Sequence, residues 1–140
     1  MTVANLDLRQ LNPGDVLPEL GIDITAKLIV GGAIASRDYQ DVHHDKSAAQ
    51  ALGSADLFMN ILTTNGLVGR YVTDWAGRGA RLKKLAIGLG APNFPGDHMI
   101  LSGQVATVNN ETSVVEVDIR GANSLGDHVT GRVSVELPPC

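Results

Sequence analysis

Residues 56–75, DLFMNILTTNGLVGRYVTDW, decide the fold. Phe58, Ile61, Leu62, Val68, Val72 and Trp75 recur at three- and four-residue spacing, which lines them up on one helical face, so the stretch predicts a long central helix over 56–75. Thr64, Asn65 and Gly66 interrupt that face. A buried helix that keeps a glycine in its apolar first half gives up stability. Two readings account for it: close backbone approach by a ligand, or plain packing against another element.

Outward from the helix toward the C-terminus, Gly77-Arg78-Gly79 breaks the pattern and strand character takes over. Residues 81–89, 99–108, 113–120 and 129–137 alternate or run β-branched, with turn signals at Pro92/Pro95-Gly96, Asn109-Asn110 and residues 123–126 between them. Asn109-Asn110-Glu111 reads as a hairpin turn. Toward the N-terminus, residues 25–39, TAKLIVGGAIASRDY, open on Thr25 as a helix cap. They predict a short helix even though Gly31 and Gly32 weaken it by about 1 kcal/mol each relative to alanine. Pro13-Gly14-Asp15 and Pro18 divide residues 1–21 into a loop and an edge strand. The class is α+β: helices first, then an antiparallel meander that can wrap one long helix. The 140-residue length fits a single domain spanning 1–140.

Hydrophobic residues make up 44% of the chain and charged ones only 19%, which describes a folded protein, and the few aromatics make its core aliphatic. A net charge of -4 argues against nucleic acid or an anionic membrane as the main partner, so an anionic ligand must be met locally. Cys140 is the only cysteine and has no disulfide partner within the chain, which fits a reducing compartment. No basic head with an apolar run opens the chain, and no segment approaches the roughly 20 apolar residues of a membrane span. The chain therefore reads as a complete cytoplasmic domain.

Proton-transfer groups concentrate in residues 36–45, SRDYQDVHHD, where Asp38, Asp41 and Asp45 stand among His43 and His44. Such a stretch can do acid/base work near neutral pH, and it can equally be a solvated loop with a capping carboxylate and a packed histidine. Asp38 and His43 are five residues apart, which on a continuous helix turns them about 140° from each other. For the two to act together, a helix must end between them. Residues 40–44 then form a turn, and Asp45 caps a short second helix over 46–52 that Gly53 stops.

A loop reading Asp-x-x-x-x-His-x-Asp after a short helix, followed by a long helix and an antiparallel sheet, resembles the hot-dog fold of the MaoC-like (R)-specific enoyl-CoA hydratases. Where that family's loop is close to G-D-x-N-P-x-H-x-D, this chain has RDYQDVHHD, with Asp38, His43 and Asp45 in register. Gln40-Asp41 stands in place of Asn-Pro, and Asn65-Gly66 in place of the His-Gly before the central helix. The strings DYQDVHHD, GLVGRYVTDWAG and NSLGDHVTG are similar to the small catalytic subunits of actinobacterial steroid side-chain hydratases, over about residues 16–137. The resemblance implies a single hot-dog domain that pairs with a larger MaoC-like subunit in an α2β2 heterotetramer, or otherwise with itself. It also implies a steroid enoyl-CoA substrate unsaturated between C17 and C20 and hydrated at C17, as in cholesterol degradation, with no cofactor beyond the CoA of the substrate.

Under that resemblance Asp38 and His43 hold the water, and the backbone N–H of Gly66 is the candidate donor to the enolate oxygen, with packing as its other reading. Asn65 lies beside the thioester without an assigned role. Arg78, Arg81, Lys83 and Lys84 form the one basic cluster, either a solvated start of a strand or the partner of the CoA phosphates. His44 and Asp41 read as loop scaffolding or interface contacts, Arg70 as facing a partner subunit, and His98 and His128 as surface turns. Histidine spacing suited to a metal is lacking, so no metal is expected. Two other functions fit the same residues: an acyl-CoA thioesterase, and a non-catalytic subunit that completes a partner's pocket.

Overall fold

The computed structural model describes residues 6–139; residues 1–5 and Cys140, with the disulfide reading made on it, lie outside them. After a first 3-10 turn (Leu8–Gln10), the regular elements in chain order are β1 (Val16–Asp23), α1 (Ala26–Ala35), a second 3-10 turn (Asp41–His43), α2 (Lys46–Ala51), α3 (Ile61–Ala76), β2 (Arg81–Leu89), β3 (His98–Asn109), β4 (Val114–Asn123) and β5 (Gly126–Glu136). The strands form one antiparallel sheet in the order β1-β3-β4-β5-β2. The expected meander holds for β3, β4 and β5. β2 instead pairs with β5 and β1 with β3, so the two earliest strands become the opposite edges. Pro18, which has no N–H for a ladder, sits where the β1 register shifts between Leu17 and Leu20.

Burial alternates along β3 and β4, which marks a sheet with one covered face. Its covered side presents Leu101, Val105, Val117, Ile119, Val133 and Val135 to Val68, Tyr71, Val72 and Ala76 of α3 and Ile29 of α1. Among the described residues no helix is long and apolar enough to cross a membrane.

The central helix departs from the sequence reading at its start. It begins at Ile61, with Asn60 as its cap, five residues later than the periodicity placed it. The backbone ahead of it serves neighbouring segments: the Phe58 N–H donates to the Val42 carbonyl and the Met59 N–H to the Asn93 carbonyl. Phe58 therefore lies off the helix. Ile61 and Leu62 are about half exposed, at 48% and 49%, while the covered face carries Thr64, Val68, Tyr71, Val72 and Ala76.

α1 is capped by Thr25, whose hydroxyl accepts the Leu28 N–H at 3.0 Å, and it ends at Ala35, ahead of Asp38 and not between Asp38 and His43. Ser36 closes it by donating from Oγ to the Gly32 carbonyl at 2.7 Å, and Arg37, at φ 56°, turns the chain away. Gly32 also has a packing reason. A Cβ there would stand 2.7 Å from Cγ2 of Thr63, so its absence lets α1 and α3 cross closely, whereas a Cβ on Gly31 would meet open space.

His128 is not on a surface turn. It is 2% exposed within β5, its Nδ1 2.7 Å from the Ala91 carbonyl and its Nε2 2.8 Å from Thr64 Oγ1 of α3. His98, in contrast, is exposed and pairs with Asp23 at 2.8 Å.

Candidate active site

Asp38 is fixed at several atoms. Its N–H donates to the Ala33 carbonyl at 2.8 Å, and its Oδ1 accepts the Gln40 N–H at 3.3 Å. Its carbonyl accepts from His44 Nε2 at 2.8 Å, which makes His44 a brace for the loop. The 3-10 turn then brings His43 back toward the carboxylate. His43 Nδ1 lies 2.7 Å from the Phe58 carbonyl, and because a carbonyl only accepts, Nδ1 carries the proton. In the Nδ1–H tautomer the ring presents an unprotonated Nε2 to Asp38 Oδ2 at 3.4 Å. The Phe58 ring packs edge-on against the imidazole, centroids 4.9 Å apart, and fixes its plane.

The helix cap reaches the same carboxylate. Asn60 Oδ1 accepts from the Thr63 N–H at 3.0 Å and from Thr63 Oγ1 at 2.6 Å, while Nδ2 donates to Ser36 Oγ and to Asp38 Oδ2, each at 3.0 Å. The Asn60 hydrogen bond, then the Gln40 N–H and the charges of His43 and His44, hold the Asp38 carboxyl below the usual carboxylate range against a smaller opposing effect of burial. The Asp38 carboxyl is thus held in its ionised, acceptor form. Two hydrogen-bond acceptors, Oδ2 and Nε2, then face one another, and a water molecule, with two O–H donors, can satisfy both and keep its lone pairs free for attack.

Beyond Asn60, the N–H groups of Ile61 and Leu62 occupy the first two helical positions, where no carbonyl of the helix can reach them. Neither bonds elsewhere among the described residues. Gly66 stands at the sixth helical position, past the N–H groups that a helix leaves free, so its N–H faces along the helix ladder and not toward a ligand. Asn65 precedes it, half-buried, and makes no side-chain hydrogen bond among the described residues. Ile34, Tyr39, Ile61 and Leu62, on the segments that carry the pair, are all about half exposed or more.

The basic cluster lies away from the pair. Arg78 follows the C-terminal end of α3, and the rise of the intervening helix puts it about 24 Å from the end at Asn60. Arg81, Lys83 and Lys84 open β2, and Lys83 pairs with Glu136 at 3.1 Å. Among the described residues no group of three or more His, Cys, Asp or Glu is placed to hold a metal ion.

Asn60 is the residue that sequence reasoning missed. Its signal was present: asparagine is a preferred helix cap, and an apolar run with Thr63 three positions on follows it. The apolar residues at 57–59 extended the helical pattern backward and hid the boundary. In the sequence Thr64 is only an interruption of the apolar face, and its partner His128 lies too far along the chain for spacing to reveal.

No family model matches the chain. It is 48% identical over 124 residues to the 3-oxo-4,17-pregnadiene-20-carboxyl-CoA hydratase beta subunit of Mycobacterium tuberculosis, covering 89% of this chain and 95% of that one. Among solved structures, the ChsH1-ChsH2 complex from Mycobacterium tuberculosis matches with a TM-score of 0.87 at 47% identity, covering 91% of this chain and 98% of that chain. The (R)-hydratase from A. caviae involved in PHA biosynthesis shares the fold with a TM-score of 0.82 at 20% identity, over 93% of this chain and 99% of that one.

Proposed function

The chain belongs to the MaoC-like hot-dog hydratases, and from that membership we propose that it is the enoyl-CoA hydratase subunit that carries the water-activating pair, Asp38 and His43. The observation that carries this reading is the approach of His43 Nε2 to Asp38 Oδ2 at 3.4 Å, with the Nδ1 proton of the imidazole already engaged by Phe58.

The steps follow from the groups. Water held between the two acceptors gives a proton to the pair as its oxygen bonds to the β-carbon. The π electrons of the double bond move toward the thioester and place negative charge on its oxygen. The N–H groups of Ile61 and Leu62, with the helix dipole behind them, are aimed to meet that charge. The enolate then re-forms its carbonyl as the α-carbon takes a proton back from the pair, and the product contains one water more than the substrate. Gly66 is replaced in this scheme by the first-turn donors.

The substrate is a steroid side-chain enoyl-CoA with its double bond between C17 and C20, a reading supported by the beta-subunit relative. CoA enters as part of the substrate, and the scheme uses no other cofactor. For its phosphates the candidates are Arg78, Arg81 and Lys84, the members of the basic cluster without an ion pair among the described residues. The partner is a larger MaoC-like subunit in an α2β2 assembly, and the exposed apolar side chains around the pair are a surface for it to cover. The single domain, residues 1–140, is one of the four subunits of that assembly.

Reconstitution with the larger subunit tests the function. An enoyl-CoA thioester should gain the mass of one water, and Asp38→Asn and His43→Gln should abolish the gain. Undiminished hydration by both variants would overturn the assignment, and release of free CoA from a saturated thioester would point to hydrolysis instead.

A further inference from the structure

Asn60 is 3% exposed, and all the hydrogen-bonding capacity of its amide is used. Its orientation follows from chemistry: the backbone N–H of Thr63 can only donate, so the amide atom facing it is Oδ1, and Nδ2 must face Asp38. Ser36 Oγ, which gives its proton to the Gly32 carbonyl, is left with lone pairs to receive the second Nδ2 hydrogen. One amide therefore joins three elements: the end of α1 through Ser36, the loop through Asp38 and the start of α3 through Thr63.

We propose that Asn60 is a positioning residue for the reaction, locking the Asp38 carboxylate to the same helix end whose first N–H groups meet the thioester oxygen. The inference rests on the hydratase reading above. Its consequence is geometric: the group that takes a proton from water and the donors that receive the enolate charge keep a fixed separation, because one side chain holds both. The ionisable groups facing Asp38 are His43 and His44 from the turn; Ser36 and Asn60, from the other two elements, carry no charge. Asn60 is accordingly the neutral donor that keeps Oδ2 directed at Nε2 of His43 without adding a competing charge.

Two substitutions separate this role from helix capping, since serine and aspartate are both good caps. Asn60→Ser keeps an acceptor for the Thr63 N–H but loses the donor to Asp38. Asn60→Asp keeps the size and the cap but sets a second carboxylate against the first. In the reconstituted complex, with Asp38→Asn as control, Asn60→Ser should lower kcat roughly ten- to a hundred-fold, the value of a lost hydrogen bond to a charged group, with KM changed less than about three-fold. Asn60→Asp should shift the acid limb of the kcat profile upward, because one of two adjacent carboxyls then holds its proton to higher pH. If both variants keep kcat within about two-fold and an unshifted acid limb while Asp38→Asn is inactive, the positioning role is overturned and the hydratase reading stands. An active Asp38→Asn would overturn both.

Discussion

His43 offers Nε2 to Oδ2 of Asp38 across 3.4 Å, while its Nδ1 is bonded to the Phe58 carbonyl at 2.7 Å. The contact is too long for a strong direct hydrogen bond, and a water seated to one side of the pair can donate to both acceptors. Asp38→Asn converts one acceptor face into a donor, and His43→Gln removes the basic nitrogen. Each should lower kcat of the reconstituted complex by about 10²- to 10⁴-fold. Steady-state rates with native mass measurement check this; loss of the complex instead of loss of rate would assign the pair to assembly.

Ile61 allows the oxyanion assignment to be tested without disturbing the helix. Proline is tolerated at the first helical position, where the missing N–H makes no helix bond, and Asn60 at φ −78°, ψ 160° already has the backbone that precedes proline. Ile61→Pro should leave the melting temperature close to the parent's and cut kcat by roughly 10²-fold. A rate within a few-fold of the parent would show that the Ile61 N–H does not hold the enolate oxygen.

The sequence showed the sheet strands, the second helix and the Asp38/His43 spacing because each is a local pattern. β2 matches its expected span of 81–89, and Asp45 caps α2 through a 3.2 Å bond to the Ala48 N–H. What was hidden depends on distant partners. Asn60 becomes a helix boundary only because Val42 and Asn93 engage the backbone just ahead of it, and His128 becomes a core residue only because Thr64 and Ala91 complete its hydrogen bonds. The same limit explains Gly66: the resemblance makes its N–H the candidate oxyanion donor, and its place at the sixth helical position depends on a boundary that tertiary bonds set.

Gly31 and Gly32 are neighbours with opposite expected responses to alanine. At Gly31 the new methyl enters open space, and the gain in helix propensity should raise stability by about 0.5–1 kcal/mol. At Gly32 it meets Thr63, so α1 must shift, which should cost about 1–3 kcal/mol and displace Ser36 and Asp38 from Asn60. Urea unfolding together with kcat should show Gly32→Ala losing both stability and rate. Equal behaviour of the two variants would mean that the close crossing of α1 and α3 is not a constraint.

His128 makes stability depend on mild acid. Burial holds its imidazole below the ordinary value, opposed only in part by the bond to the Ala91 carbonyl. The neutral Nδ1–H tautomer suits its site, donating to Ala91 and accepting from Thr64. An unfolded histidine binds its proton near pH 6.5, so between that pH and the lower folded value the unfolded chain holds more protons than the native one. The stabilising contribution is therefore complete above about pH 6.5, falls as the pH drops through this window and then levels off. Replacement by glutamine, which also has a donor and an acceptor but does not titrate, should lower stability at pH 7.5 and flatten the decline between pH 7 and 5. Urea midpoints at a series of pH values measure both effects, and an unchanged slope in His128→Gln would place the acid sensitivity on another group.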